Sequence, residues 1–405
     1  MSGRPPRDSR QHVLVAGGGV AALEAVLALR ALAPTQVSVA LVAPDQEFVY
    51  RALSVAEPFR LGEARRFPLE VLADDAGARF LTGAVASVDP DGHSVSTEDG
   101  DALSYDTLLL ALGARPCTAV PGALTFAGPQ SSDELAAMLE ETVDGEVKSI
   151  VFAIPAGVSW PLPLYELALL TGAHLADHGT RGVELSILTP EETPLALFGV
   201  EASAAIDELL QIRGIELRTQ TTPLEWADGR LRTAPAGEIE ADRVVALPRL
   251  EGPRLPGIWH DRNGFVPTDE YGRVPSKLDL YAAGDMTLFP LKQGGIATQQ
   301  ADAAASAIAA AAGAPVEPAP FRPVLRGLLM TGMVPRYLRS EPGTATSAAD
   351  TEPLWWPPAK IVGRHLAPFL ANRLGLAAPP AARGGVTVDV ELDAQTAAPQ
   401  ASAPA

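Results

Sequence analysis

The chain of 405 residues contains a single cysteine, Cys117. One thiol cannot close an internal disulfide, form a CxxC redox pair or furnish a cysteine-rich metal site. It also excludes any mechanism that passes electrons through a cysteine pair within one chain. No uninterrupted apolar run reaches the roughly 18 residues that a membrane-spanning helix needs. The opening segment MSGRPPRDSR is polar and basic, with no apolar stretch behind it of the kind a secretory signal requires. The expected location is therefore the cytoplasm. Basic residues are in deficit, 31 Lys and Arg against 49 Asp and Glu, for a net charge of −18. A surface that acidic repels phosphate backbones, which argues against nucleic acid as a partner. Of the six histidines, only His174 and His178 stand at helical i, i+4 spacing. No thiol or carboxylate completes a ligand set around them, so no metal centre is expected.

Apolar residues make up 47 % and charged residues 20 %, an ordinary globular balance. The length suggests two or three domains. The chain opens as strand, turn and helix: Val13 to Ala16, then Gly17-Gly18-Gly19, then Val20 to Leu32, apolar on nearly every face and stopped by Pro34. Val37 to Val42 closes a βαβ unit of about 30 residues. Phe48 to Arg60 reads as a loop or short helix. Phe80 to Asp89 and His93 to Thr97 read as strands of a small antiparallel meander turning at Asp91-Gly92. Thr107 to Leu112 is a strongly apolar strand ending at Gly113. A second α/β pattern follows: strand Ser149–Ile154, helix Leu164–His178, strand Val183–Thr189, helix Glu201–Arg213, strand Ile215–Thr219 and strand Ile239–Leu247. Then come strand Leu280–Ala283, an Ala-rich helix Ile296–Ala312, a hairpin or strand pair in Phe321–Tyr337, a linker over 341–352 and a helix from Ala359 to Leu374. From about Ala377 the composition is that of a disordered tail.

Gly17-Gly18-Gly19-Val20-Ala21-Ala22 fits G-x-G-x-x-G/A, directly after a strand and opening a helix. Gly17 permits the tight turn and Gly19 the close approach of a pyrophosphate to the unpaired N–H groups of the helix start. Ala22 lets helix and strand lie close. The carboxylate that usually binds a ribose at the end of the second strand, about 20 residues on, is missing, because Ala43 holds that position. Asp45 or Glu47 stands next in line.

Two further motifs follow, Tyr105-Asp106-Thr107-Leu108-Leu109-Leu110-Ala111-Leu112-Gly113-Ala114-Arg115-Pro116 and Leu280-Tyr281-Ala282-Ala283-Gly284-Asp285. In this order the three motifs resemble the two-dinucleotide-binding-domain flavoproteins, the FAD-dependent pyridine nucleotide-disulfide oxidoreductase superfamily, over about residues 11–318. The resemblance implies an α/β fold of two Rossmann-like domains with parallel sheets, an antiparallel meander and a small C-terminal region. It divides the chain into a disordered 1–10, an FAD-binding domain of 11–118 with 265–318, a second nucleotide-binding-like domain of 119–264, a C-terminal cover of 319–376 and a tail of 377–405. Asp285, which read alone is a turn-capping aspartate, then holds the ribityl chain or phosphate region of FAD. Lys292-Gln293-Gly294-Gly295-Ile296 places a helix N-terminus at the flavin pyrimidine edge, where dipole and N–H groups favour negative charge. Lys292 adds a cation there, or is a solvated loop lysine. The same resemblance makes Val20, Ala21, Val85, Ala111, Leu112, Gly113, Arg115 and Gly284 cofactor-binding residues. Tyr50 and Arg51 either flank the flavin or pack the loop.

The segment Lys292-Gln293-Gly294 resembles the sulfide:quinone reductase and flavocytochrome branch most, with type II NADH dehydrogenases close by. Two departures matter. Phe48-Val49-Tyr50-Arg51-Ala52-Leu53-Ser54 stands where disulfide reductases carry their cysteine pair, and Cys117 is unpaired. The second domain has Pro155-Ala156-Gly157-Val158-Ser159-Trp160-Pro161 in place of its own G-x-G-x-x-G, and proline has no N–H to offer a pyrophosphate. NAD(P)H as donor follows from the superfamily but not from these residues.

The C-terminal part is rich in aromatic and aliphatic residues and locally basic through Arg322, Arg326, Arg336, Arg339, Lys360, Arg364 and Arg373. It reads as a peripheral membrane contact, a homodimer interface or a cover over the flavin. The expected function is electron transfer through non-covalent FAD from a small-molecule donor to a small-molecule acceptor, without a cysteine pair. A quinone reductase with a non-nicotinamide donor and a non-catalytic flavin sensor are the alternatives.

Overall fold

The computed structural model describes residues 10–376 apart from 236, 276 and 342–346. The expected disorder at the N-terminus and in the tail from 377 therefore lies almost wholly outside the described residues.

Two five-stranded parallel sheets organise the chain. In the first, the order is Leu280–Ala282, Thr107–Leu110, Gln11–Ala16, Val37–Ala43 and Arg79–Thr82. The central strand pairs Val13 with Val39 on one side and with Thr107 on the other. Parallel strands covered on both faces read as continuous apolar runs. Here Leu14 packs into the core on one face, and Val13 and Val15 into the core on the other. The helix Val20–Leu32, apolar on nearly every face, is explained by its second neighbour, the Ala-rich helix Gly294–Ala311. Ala21, Ala25 and Ala28 share one buried cluster with Ala297, Ala301 and Ala304. Small side chains on both surfaces let the two axes approach closely.

In the second sheet the order is Leu124–Thr125, Arg243–Ala246, Ser149–Ala153, Glu184–Leu188 and Ile215–Arg218. Helices Leu162–Asp177 and Val200–Arg213 accompany it, and Phe152, Leu167, Leu170 and Ile206 lie in its core. Strand Arg115–Cys117 pairs antiparallel with Arg249–Glu251. The meander turns at Asp91-Gly92, with His93 at φ +48°, and runs through Val85–Asp89, Ser94–Thr97 and Ala102–Ser104.

Several expected boundaries are corrected. Phe80–Asp89 is two strands: Arg79–Thr82 is the edge of the first sheet and Val85–Asp89 belongs to the meander. Gly83 breaks them, donating its N–H to Ala43 O at 2.9 Å. Ile239–Leu247 likewise splits into Gly237–Glu240 and Arg243–Ala246. Asp242 between them accepts the N–H groups of Lys148 and Ser149. The 341–352 linker contains strand Ser347–Asp350, which completes a three-stranded sheet with Leu325–Leu329 and Arg336–Ser340. The last helix is only Leu366–Arg373. Before it, the backbone is spent on tertiary bonds: Ile361 N–H donates to the Tyr50 hydroxyl and Val362 O accepts from Thr298 Oγ1. Helix Ser132–Val143 is absent from the expected elements, although Leu135, Met138, Leu139 and Thr142 carry a helical period.

Among the described residues, no helix is long and apolar enough to cross a membrane. The basic character of the C-terminal part is also partly internal. Arg339 pairs with Glu341, Lys360 with Glu166 and Arg373 with Asp75.

Candidate functional site

The turn between the first strand and first helix is built for backbone approach. Gly17 sits at φ +128°, and a Cβ there would lie 2.2 Å from Ala111 O. Only glycine satisfies both constraints. Gly19 is the N-cap of helix Val20–Leu32, and a Cβ on it would meet nothing within 4 Å. That open side faces a cavity of about 1140 Å³, which Gly17, Gly18, Gly19, Val20 and Ala21 line. Leu23 N–H makes the helix's first bond, to Gly19 O, so the N–H groups before it have no intrahelical partner. The helix start is therefore a site for an anion.

The cavity continues past residues of the other two motifs. Ala111, Leu112 and Gly113 line it, as do Gly284 and Asp285, and so do Asp45, Arg51, Val85 and Lys292. Gly284 is held at φ +80°, and its N–H donates to Gln300 Oε1 at 2.8 Å. No protein donor reaches the Asp285 carboxylate among the described residues. Burial pushes its pKa up, and the charge of Lys292 opposes that. Lys292 stands 4.0 Å above the Phe265 ring, and its Nζ donates to Thr287 O. Burial pulls its pKa down to about 8, against Asp285 and Asp261, which raise it.

Six expected site residues do not line this cavity. Ala22 and Ala43 are fully buried, as helix–strand packing requires. Tyr50 is a strut: its hydroxyl accepts the Ile361 N–H at 2.8 Å, and burial raises its pKa to about 12. Arg115 points outward to Glu251 at 3.2 Å. Gly295 and Ile296 are buried beneath the helix start. The Ile296 N–H is already taken by the Gln293 side chain at 2.8 Å, so it is not free for a ligand. On the rim, Glu47 is paired with Arg66 at 3.5 Å, which leaves Asp45 as the carboxylate without an ion pair among the described residues.

A second arm of the same cavity runs between the second sheet and the C-terminal sheet. Trp160, Pro163, Glu166, Gly327, Leu328 and Lys360 line it. Glu166 and Lys360 form a buried pair there, and the Glu166 carboxylate also accepts the Met330 N–H at 2.8 Å. Sequence reasoning missed both residues. The available signal was one glutamate inside the apolar helix segment LPLYELALL. A second missed cluster comprises Glu24, Asp302 and His365. Glu24, buried in the first helix, accepts the N–H groups of His365 and Leu366 at 2.7 Å each and so caps the last helix. Cys117 does not line the cavity; its Sγ lies 3.9 Å from Arg115 O.

Comparison with known proteins gives concordant results. The profile of the family described as pyridine nucleotide-disulphide oxidoreductase matches residues 11–311. An NADH dehydrogenase-like protein of Mycobacterium tuberculosis is 27% identical over 236 residues, 55% of this chain and 58% of that protein, so the match spans little more than half of the relative's length. The sulfide-quinone reductase of Aquifex aeolicus is 25% identical over 305 residues, 69% of each chain. The X-ray structure of the sulfide:quinone oxidoreductase from Aquifex aeolicus superposes with a TM-score of 0.75 at 19% identity, covering 84% of this chain and 86% of that one. At that identity the likeness shows a shared fold.

Proposed function

The chain belongs to the pyridine nucleotide-disulphide oxidoreductase family, whose members carry FAD, and from that premise we propose an oxidoreductase in which electrons reach the flavin directly, with no protein thiol between donor and cofactor. The convergence of the Gly17–Ala21 helix start and the unpartnered Asp285 on one cavity, which Cys117 does not line, carries this reading.

The residues fit FAD. The backbone N–H groups at Gly19 to Ala21 would hold the pyrophosphate, and Asp285 would accept a hydroxyl of the chain joining phosphate to ring. Asp285 is half-buried on the cavity wall with no protein donor among the described residues, so its oxygens are available to a ligand hydroxyl. Arg51 and Val85 would flank the cofactor, and Asp45 would take the ribose role that Ala43 cannot. When bound, FAD supplies the two-electron redox chemistry. Lys292 places a titratable cation beside Asp285. Trp160, Leu162, Pro163 and Leu328 give the second arm apolar walls, and Lys360 beside Glu166 carries protons at its edge. That arm suits a flat, weakly polar acceptor of the quinone class, which gains protons together with electrons. The name of the Aquifex relative supports the same class.

The purified protein should be yellow, retain FAD at one equivalent and, once its flavin is photochemically reduced, be reoxidised by a short quinone with Cys117 completely alkylated. Alkylated protein with intact, reduced FAD that quinone does not reoxidise would sink the thiol-free mechanism.

A further inference from the structure

The second sheet has the topology that anchors a dinucleotide, with its central strand Ser149–Ala153 leading into helix Leu162–Asp177. The anchoring chemistry is absent at three places. The first is the helix start. Pro161 is the N-cap and Pro163 lies in the first turn, so neither position has an N–H. Leu164 N–H is spent on Pro161 O at 2.9 Å. A pyrophosphate would find there almost none of the donors that the Gly19 helix start offers.

The second is the carboxylate beyond the next strand. Glu191 is held inward, accepting from the Tyr165 hydroxyl and from Thr189 Oγ1, each at 2.9 Å. Tyr165 is fully buried, so this bond is part of the core and not open to a ribose.

The third is the chain's own C-terminal sheet. A Cβ on Gly327 would lie 2.7 Å from both Leu162 Cδ1 and Phe198 Cζ. The backbone of strand Leu325–Leu329 therefore rests directly on the helix's first turn and on the loop opposite. Ser347 Oγ donates to Phe198 O from the same sheet, and the Trp160 ring stands 5.7 Å from the Phe198 ring. On the Phe198 side the crevice at the carboxyl end of the sheet, where a dinucleotide lies in open α/β folds, is closed by residues of this chain, and past Trp160 and Pro163 it opens only into the second arm of the cavity.

We propose that the second domain no longer anchors NADH or NADPH, and that the reductant is a small molecule without an ADP-ribose moiety. The inference rests on the flavin reading above. It departs from the nicotinamide use usual in the family.

The test is anaerobic mixing of the holoenzyme with NADH and, separately, NADPH at millimolar concentration, following flavin absorbance. Photochemical reduction of the same sample shows that the flavin is reducible. Bleaching no faster than that of free FAD, without saturation, is expected. Rapid, saturable bleaching by either nucleotide would overturn the proposal. A calorimetric titration of each nucleotide into the FAD-saturated protein reads the same crevice, because the first cleft is then filled. Absence of binding supports the proposal and sub-millimolar binding overturns it. A preparation that takes up no FAD is a failure of the flavin reading, and it is seen before any nucleotide is added.

Discussion

Lys360 Nζ lies 2.6 Å from Glu166 Oε1 and 2.7 Å from Oε2, so one ammonium spans both oxygens of a carboxylate. The side chains are only 7% and 1% exposed. They come from positions 194 residues apart in the chain and meet only because the C-terminal segment folds back over the second sheet. Removing one partner of such a pair leaves a buried charge uncompensated, at a cost of about 3–5 kcal/mol. Lys360→Met should therefore destabilise by that order in urea titration. Glu166→Gln with Lys360→Met should recover most of it, because both charges are gone. Reoxidation of the photoreduced flavin by quinone should stay slow in the double variant despite its recovered stability.

The glycine turn predicts two different failures. Gly17→Ala meets Ala111 O at 2.2 Å in a backbone conformation that an L side chain resists. It should lower stability by about 3 kcal/mol or more. Gly19→Ala meets no protein atom and should leave the apoprotein's melting temperature nearly unchanged. Its methyl enters the cavity, so FAD retention on gel filtration should fall. Equal FAD retention in wild type and Gly19→Ala would show that the cofactor does not approach this turn.

Lys292 predicts a stability change with pH. Its pKa is about 8 in the folded chain, below the ordinary lysine value. Between about 8 and that value the unfolded chain binds more protons than the folded one, so stability rises with pH across this window. Across pH 7.5 to 10.5 the stability of the apoprotein relative to Lys292→Met should rise, as read by denaturation of the two side by side.

The carboxyl pair Glu24 and Asp302 predicts the opposite slope. Burial, and then the Glu24 charge beside it, raises the Asp302 pKa to about 9. Burial raises Glu24 as well. A raised carboxyl contributes stability that is present below its unfolded pKa of about 4 and lost as pH rises through about 9. The Arg364 charge moderates this, and His365 faces the pair. Asp302→Asn keeps a donor toward Glu24 without the charge. It should preserve amide exchange protection in helix Leu366–Arg373 at pH 9, where the wild-type helix loses part of it.

The residues by themselves determined the first cleft. The pattern Gly17-Gly18-Gly19 after an apolar strand, and Gly284-Asp285 after another, are local signals: each depends on a few adjacent residues and a backbone geometry that they enforce. The cysteine count likewise set the mechanism's limits without any coordinates. The second arm was decided by tertiary structure. Glu166 reads as an oddity in an apolar helix and Lys360 as a surface base until the chain brings them together. Tyr50 and Arg115 have residue types suited to a flavin site, yet each takes a partner distant in sequence. The fate of the second nucleotide crevice shows the division. Pro155 and Pro161 announced the missing donors, but only packing showed Gly327 laid on Leu162 and Phe198. Local backbone chemistry can be read from neighbours in sequence, whereas occupancy of a crevice depends on which distant segment fills it.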